Sequence, residues 1–128
     1  MNNLKTAKKF TDWMNEGFCG KHVPGNELEG YQMTKQLMLS DGTTISIQAG
    51  RTHSCYPRTD APELDYDFYS EFEIGFPSRE IPEILKYAED PECPTQTVYG
   101  WVPKEVIQDF INKAGGVKGR AEDFVYYG

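Results

Sequence analysis

No apolar run in this chain approaches the roughly 20 residues that a bilayer-spanning helix needs. The lysines near its start are followed by no apolar stretch of the signal-peptide kind. Membrane insertion and export are therefore not expected, and the cytosol is the expected compartment. Cysteine is scarce: Cys19, Cys55 and Cys93 are odd in number and far apart, so a disulfide framework is not expected and the thiols should be reduced. Bases are few, 13 against 20 acids, and the net charge of −7 repels a phosphate backbone at long range. That disfavours a nucleic-acid polymer as partner, while leaving room for a compact anion site made of a few arginines. The signatures GxGxxG, GxxxxGKS or GxxxxGKT, and HExxH are all missing, which removes the dinucleotide fingerprint, the P-loop and the zincin helix.

What is present reads as one α+β domain, since 128 residues bury roughly two-thirds of their unfolded surface without metal or disulfide staples. Leu4, Ala7, Phe10, Trp13 or Met14, and Phe18 recur at three- and four-residue steps, which predicts an amphipathic helix over 3–16 stopped near Gly17. A glycine-rich loop, 20–30, comes next. Residues 1–30 are thus expected as an N-terminal helix and loop that could pack on a neighbouring subunit, and 31–128 as a single α+β domain. From Lys35 the period becomes two, with Leu37 and Leu39, a Ser40-Asp41-Gly42-Thr43 turn, then Ile45, Ile47 and Ala49. Phe68, Ser70, Phe72, Ile74 and Phe76 predict one face of a third strand, with Tyr69, Glu71 and Glu73 on the other. A short helical stripe over 81–88, a strand over 97–102 and a proline-started helix over 103–114 complete the pattern, with Gly115 and Gly116 as its stop. The expected architecture is a small antiparallel sheet with helices packed on one face, plus the N-terminal helix.

Several constellations bear on chemistry. Cys19 with His22, and His53 with Cys55, have the ligand types of a tetrahedral zinc site but lack the knuckle residues of a zinc module. His53 and Cys55 also suit a base and a thiol nucleophile, without an orienting third group or an oxyanion turn nearby. Glu71 and Glu73 alternate on a wet strand face, a pattern of solvation rather than acid–base work. A binding protein rather than an enzyme is expected, with no metal and no cofactor. The segment 50–58 places Arg51, His53, Tyr56 and Arg58 together inside an acidic protein. Arginine grips phosphate bidentately and aromatic rings stack on bases, so with Tyr99 and Trp101 this segment suits a small nucleotide-like anion. The alternative is that Arg51 and Arg58 pair with the acids of 60–73. Gly115-Gly116-Val117-Lys118-Gly119-Arg120 reads as a helix cap, or as a cap that carries a cationic arm.

The runs 37–49, 55–58, 73–78 and 97–103, among them Cys55-Tyr56-Pro57-Arg58 and Thr97-Val98-Tyr99-Gly100-Trp101-Val102-Pro103, together resemble the phage Thoeris anti-defence sponges of the first type. The resemblance spans about residues 35–117. It implies a phage-encoded anti-defence protein that sequesters cyclic ADP-ribose isomers, and a related capability of binding cyclic oligonucleotides at a separate site, without cleaving them. It also implies a homo-oligomer, a hexamer, with pockets shared between subunits. By chemical type, Tyr99 and Trp101 or Phe76 are the residues expected to stack on adenine, with Arg51, Arg58 and Arg120 on the diphosphate. Two competing readings come from the residues themselves. The acid-rich run from Asp60 to Glu73 would let the chain mimic nucleic acid and inhibit a host defence complex, and the His53–Cys55 pair would make it an enzyme.

Overall fold

The computed structural model describes residues 8–17, 34–59 and 65–121. Period-two alternation turns β1 (Leu37–Leu39) and β2 (Thr44–Gln48) into a hairpin in which Leu37 lies opposite Ile45, so that Leu37, Leu39, Ile45 and Ile47 all bury. Its turn has the predicted chemistry: Asp41 Oδ1 accepts the Thr43 N–H at 2.9 Å, and Gly42 takes a φ of 94° that a Cβ would disfavour. β3 (Glu71–Gly75) pairs with β2, β4 (Val98–Pro103) with β3, and β5 (Val117–Arg120) with β1. Every pairing is antiparallel, and the sheet order is β4-β3-β2-β1-β5. The sheet's apolar residues form one cluster with Phe10 and Met14 of α1 (Phe10–Glu16), Ile84 of a 3₁₀ segment (Pro82–Tyr87), and Ile107, Phe110 and Ile111 of α2 (Lys104–Lys113). The expected α+β architecture is thus observed. Among the described residues no helix is long and apolar enough to cross a membrane.

The described part of the N-terminal helix packs into the core of its own chain. Phe10 packs edge-on against Phe72 with ring centroids 5.1 Å apart, and its N–H donates to Gln108 Oε1 at 3.0 Å. Asn15 Oδ1 accepts the Tyr66 N–H at 2.7 Å. Leu4, Ala7 and Phe18, the loop 20–30 and the boundary at residue 30 lie outside the described residues.

Two local expectations are corrected. Strand β3 begins only at Glu71, because Tyr66–Phe68 forms a 3₁₀ turn capped by Asp65, whose carboxylate accepts the Asp67 N–H. That turn breaks the period: Tyr69 is fully buried, and Phe68, expected on the apolar face, is exposed. The second correction concerns 115–120. Gly115 and Gly116 both sit at φ 93°, and the Gly116 N–H returns to Ile111 O at 2.9 Å, so the cap is as expected. Beyond the cap the chain enters strand β5 and forms no mobile arm. Arg120 donates to Trp13 O at 2.8 Å, lies over the Trp13 ring, and is only 12% exposed in its side chain. It ties α1 to the sheet edge, and this use accounts for its charge.

A Cβ on Gly115 would lie 3.0 Å from Ser40 Cβ as well as demanding a left-handed backbone. Gly115→Ala is therefore expected to cost about 1–2 kcal/mol, read as a lower urea midpoint at unchanged slope.

Candidate functional site

The register of β2 against β3 sets Gln48 opposite Glu73, and two positions on, Gly50 would face Glu71. Tyr56 takes that place instead, with its N–H on Glu71 O at 3.1 Å and its carbonyl accepting the Ser70 N–H at 2.9 Å. Residues 50–55 are consequently looped out of the sheet. The loop turns tightly, His53 N–H to Gly50 O at 3.1 Å and Cys55 N–H to His53 O at 2.9 Å. Cys55 closes its neck: the buried thiol donates to Gly50 O at 3.2 Å and its sulfur accepts the Gly50 N–H at 3.3 Å.

On the other side of β3 the strands fall out of step. Phe72 lies opposite Val102 and Ile74 opposite Tyr99, so Glu73 alone faces both Gly100 and Trp101. This is a bulge, which bends the strand and re-aims a side chain. Trp101 occupies it at φ 53° and is half-exposed, a backbone setting that is an outlier for so bulky a residue. Tyr99, two residues earlier, is fully buried and its hydroxyl donates a hydrogen bond to Pro94 O. The bulge therefore separates the two aromatics expected to stack on a ligand, one in the core and one at the surface.

Loop and bulge meet at Ser54. Its N–H donates to Glu73 Oε1 at 2.9 Å, and its carbonyl accepts the Trp101 N–H at 2.9 Å. The imidazole of His53, buried, brings Nδ1 to 3.3 Å from the same carboxylate oxygen. Gly100 makes room, since a Cβ there would stand 3.2 Å from Ser54 Cβ. His53 holds the Glu73 carboxyl below its ordinary range by hydrogen bonding; burial opposes this, and the Ser54 amide and the charge of Arg58 reinforce it. A carboxyl lowered in the folded state stabilises in full above its ordinary value of 4.5 and loses that stabilisation as pH falls through the lowered one. Below pH 4.5 the wild type should accordingly lose stability more steeply than Glu73→Gln, as read from urea midpoints across pH.

The structure brings some of the predicted site residues together and separates others. Arg51, Tyr56 and Arg58 are exposed on the loop and its exit, and Ser54 joins that loop to Trp101. Phe76 is also exposed, at φ 47°. It lies three residues along from Glu73, about 10 Å away along an extended chain. Tyr99 is enclosed, and Arg120 is committed to α1. His53 and Cys55 meet different partners, Glu73 and the loop neck. Cys19 and His22 lie outside the described residues, and among those described no group of three or more His, Cys, Asp or Glu residues is placed to hold a metal ion. Glu73, read from sequence as solvated, is instead the acceptor that gathers the loop. Its contact with Ser54 joins residues 19 positions apart, and no local pattern marks it.

The acidic run is substantially engaged where it is described. Asp67 pairs with Lys104 at 3.2 Å and Lys9 at 3.5 Å, Asp65 accepts from Asn15 at 3.1 Å, and Glu73 faces His53. Asp60 and Glu63 lie outside the described residues. Comparison of the chain with protein-family models, with curated proteins and with solved structures returns no match.

Proposed function

We propose that this chain is a non-enzymatic binder of a small, flat, anionic ligand, taken up on the surface that joins the 50–58 segment to the bulge at Trp101. The resemblance to the Thoeris sponges makes the specific ligand a cyclic ADP-ribose isomer and the biological role phage anti-defence by sequestration, on a homo-oligomer in the host cytoplasm. One observation carries the reading. Trp101 stays half-exposed in a left-handed backbone setting, and its N–H is bound to the loop that carries Arg51. A core or a turn would be better served there by glycine, so the cost in backbone strain calls for a use of the indole ring. An exposed indole, tied by its own backbone to the loop that carries Arg51, suits a base linked to phosphate.

A sponge must hold a scarce signal, so nanomolar affinity, about −12 kcal/mol, is the requirement. Stacking with charge-assisted hydrogen bonds can supply it only on a surface that is ordered beforehand. Calorimetric titration with cyclic ADP-ribose isomers, ADP-ribose and cyclic dinucleotides tests the proposal. Saturable binding of a cyclic ADP-ribose isomer, tighter than that of ADP-ribose, is expected; no heat with any of them would remove it.

A further inference from the structure

Ser54 is held on both sides of its backbone: the N–H by Glu73 Oε1 and the carbonyl by the Trp101 N–H, each at 2.9 Å. The acceptor oxygen is shared with His53 Nδ1 at 3.3 Å, and the Glu73 side chain is only 21% exposed. A carboxylate on β3, the loop that displays Arg51, and the bulge that displays Trp101 are therefore one hydrogen-bonded unit. Glycine at position 100 is part of it, because a side chain there would press on Ser54.

Resting on the binding reading above, we propose that Glu73 and His53 are positioning residues. They touch no ligand; they fix the spacing between the cationic loop and the Trp101 ring. That spacing defines the ligand class. A fixed span rewards a molecule whose flat base and anionic group are joined at a set distance, and gives nothing to a base alone. Loosening the unit should then cost affinity for a linked nucleotide and leave a bare nucleoside unaffected.

The experiment compares cyclic ADP-ribose and adenosine on the intact wild-type chain and on Glu73→Ala, Glu73→Gln and His53→Asn, by calorimetry and ligand NMR. Glu73→Ala is expected to weaken cyclic ADP-ribose at least about tenfold, the loss of one hydrogen bond to a charged group, with adenosine affinity unchanged. Glu73→Gln, which keeps an acceptor for Ser54, should recover part of the loss. Unchanged cyclic ADP-ribose affinity in Glu73→Ala overturns the positioning role and leaves the binding reading standing. An equal loss for both ligands also overturns it, as general damage to the fold. Failure of the wild type to bind either one overturns the binding reading and this inference with it. Should Glu73→Ala not fold, amide exchange on the wild type decides: slow exchange at Ser54 and Trp101 supports the unit, and exchange as fast as at exposed Thr52 overturns it.

Discussion

Trp101→Gly is expected to weaken cyclic ADP-ribose binding about 5- to 150-fold, the 1–3 kcal/mol of one stacked base, while leaving stability within about 1 kcal/mol of wild type. Two effects oppose each other in the second number. Removing a half-buried indole loses apolar contact, but glycine relieves the left-handed backbone at φ 53°, a strain of about 1–2 kcal/mol for a residue with a Cβ. Trp101→Ala removes the same ring and keeps the strain. It should bind as poorly as the glycine variant and be less stable than it by about 1 kcal/mol. Calorimetry for binding and urea denaturation for stability give both numbers on the same preparations. A structural role for the ring would show large losses of stability in both variants and no selective loss of binding.

Phe72→Ala is expected to cost about 3–5 kcal/mol, the largest loss of stability from a single side chain foreseen here. Phe72 is fully buried between Phe10, at 5.1 Å, and Tyr69, at 5.9 Å, each meeting it edge-on. Its loss opens a cavity where α1, the 3₁₀ turn and β3 converge, and it removes the ring against which the N-terminal helix docks. For a domain of this size the melting temperature should fall by roughly 10–20 °C. Phe68→Ala is the control. Phe68 is 43% exposed and rests edge-on against Tyr69, so its removal should cost about 1 kcal/mol or less. Had the strand begun at Phe68, as its alternation indicates, the two substitutions would cost similar amounts.

That difference shows where the sequence was legible. The hairpin was, because Leu37, Leu39, Ile45 and Ile47 alternate around an Asp-Gly turn and a one-residue slip would expose them all. Helix α2 was, because Pro103 precedes it, Ile107, Phe110 and Ile111 share a face, and two glycines close it. Periodicity failed where the chain changes direction within a run of aromatics. The turn at Tyr66–Phe68 exchanged Tyr69 for Phe68 as the buried ring, and the bulge at Gly100 and Trp101 sent Tyr99 inward and Trp101 outward. Neither change alters the composition of its segment, so neither leaves a mark that alternation detects.

Of the candidate site, the segment 50–58 was recognisable from its local reversal of charge, and Trp101 from its strand. Their meeting was not. It depends on a loop whose neck is closed by the Cys55 thiol and whose back is held by Glu73. A cysteine that reads as a nucleophile and a glutamate that reads as solvated are both used to shape backbone. Arg120 shows the same limit: beside glycines it reads as a free cation, yet β5 delivers it to Trp13.

The central claim is that the chain captures a nucleotide signal and releases it unaltered. Its most direct test is to incubate the purified protein with cyclic ADP-ribose isomers, wash it, denature it by heat, and identify what is released by mass spectrometry. Intact cyclic nucleotide from the wild type, and clearly less from Trp101→Gly, is the predicted result. Cleaved product, or equal recovery from both proteins, would contradict it.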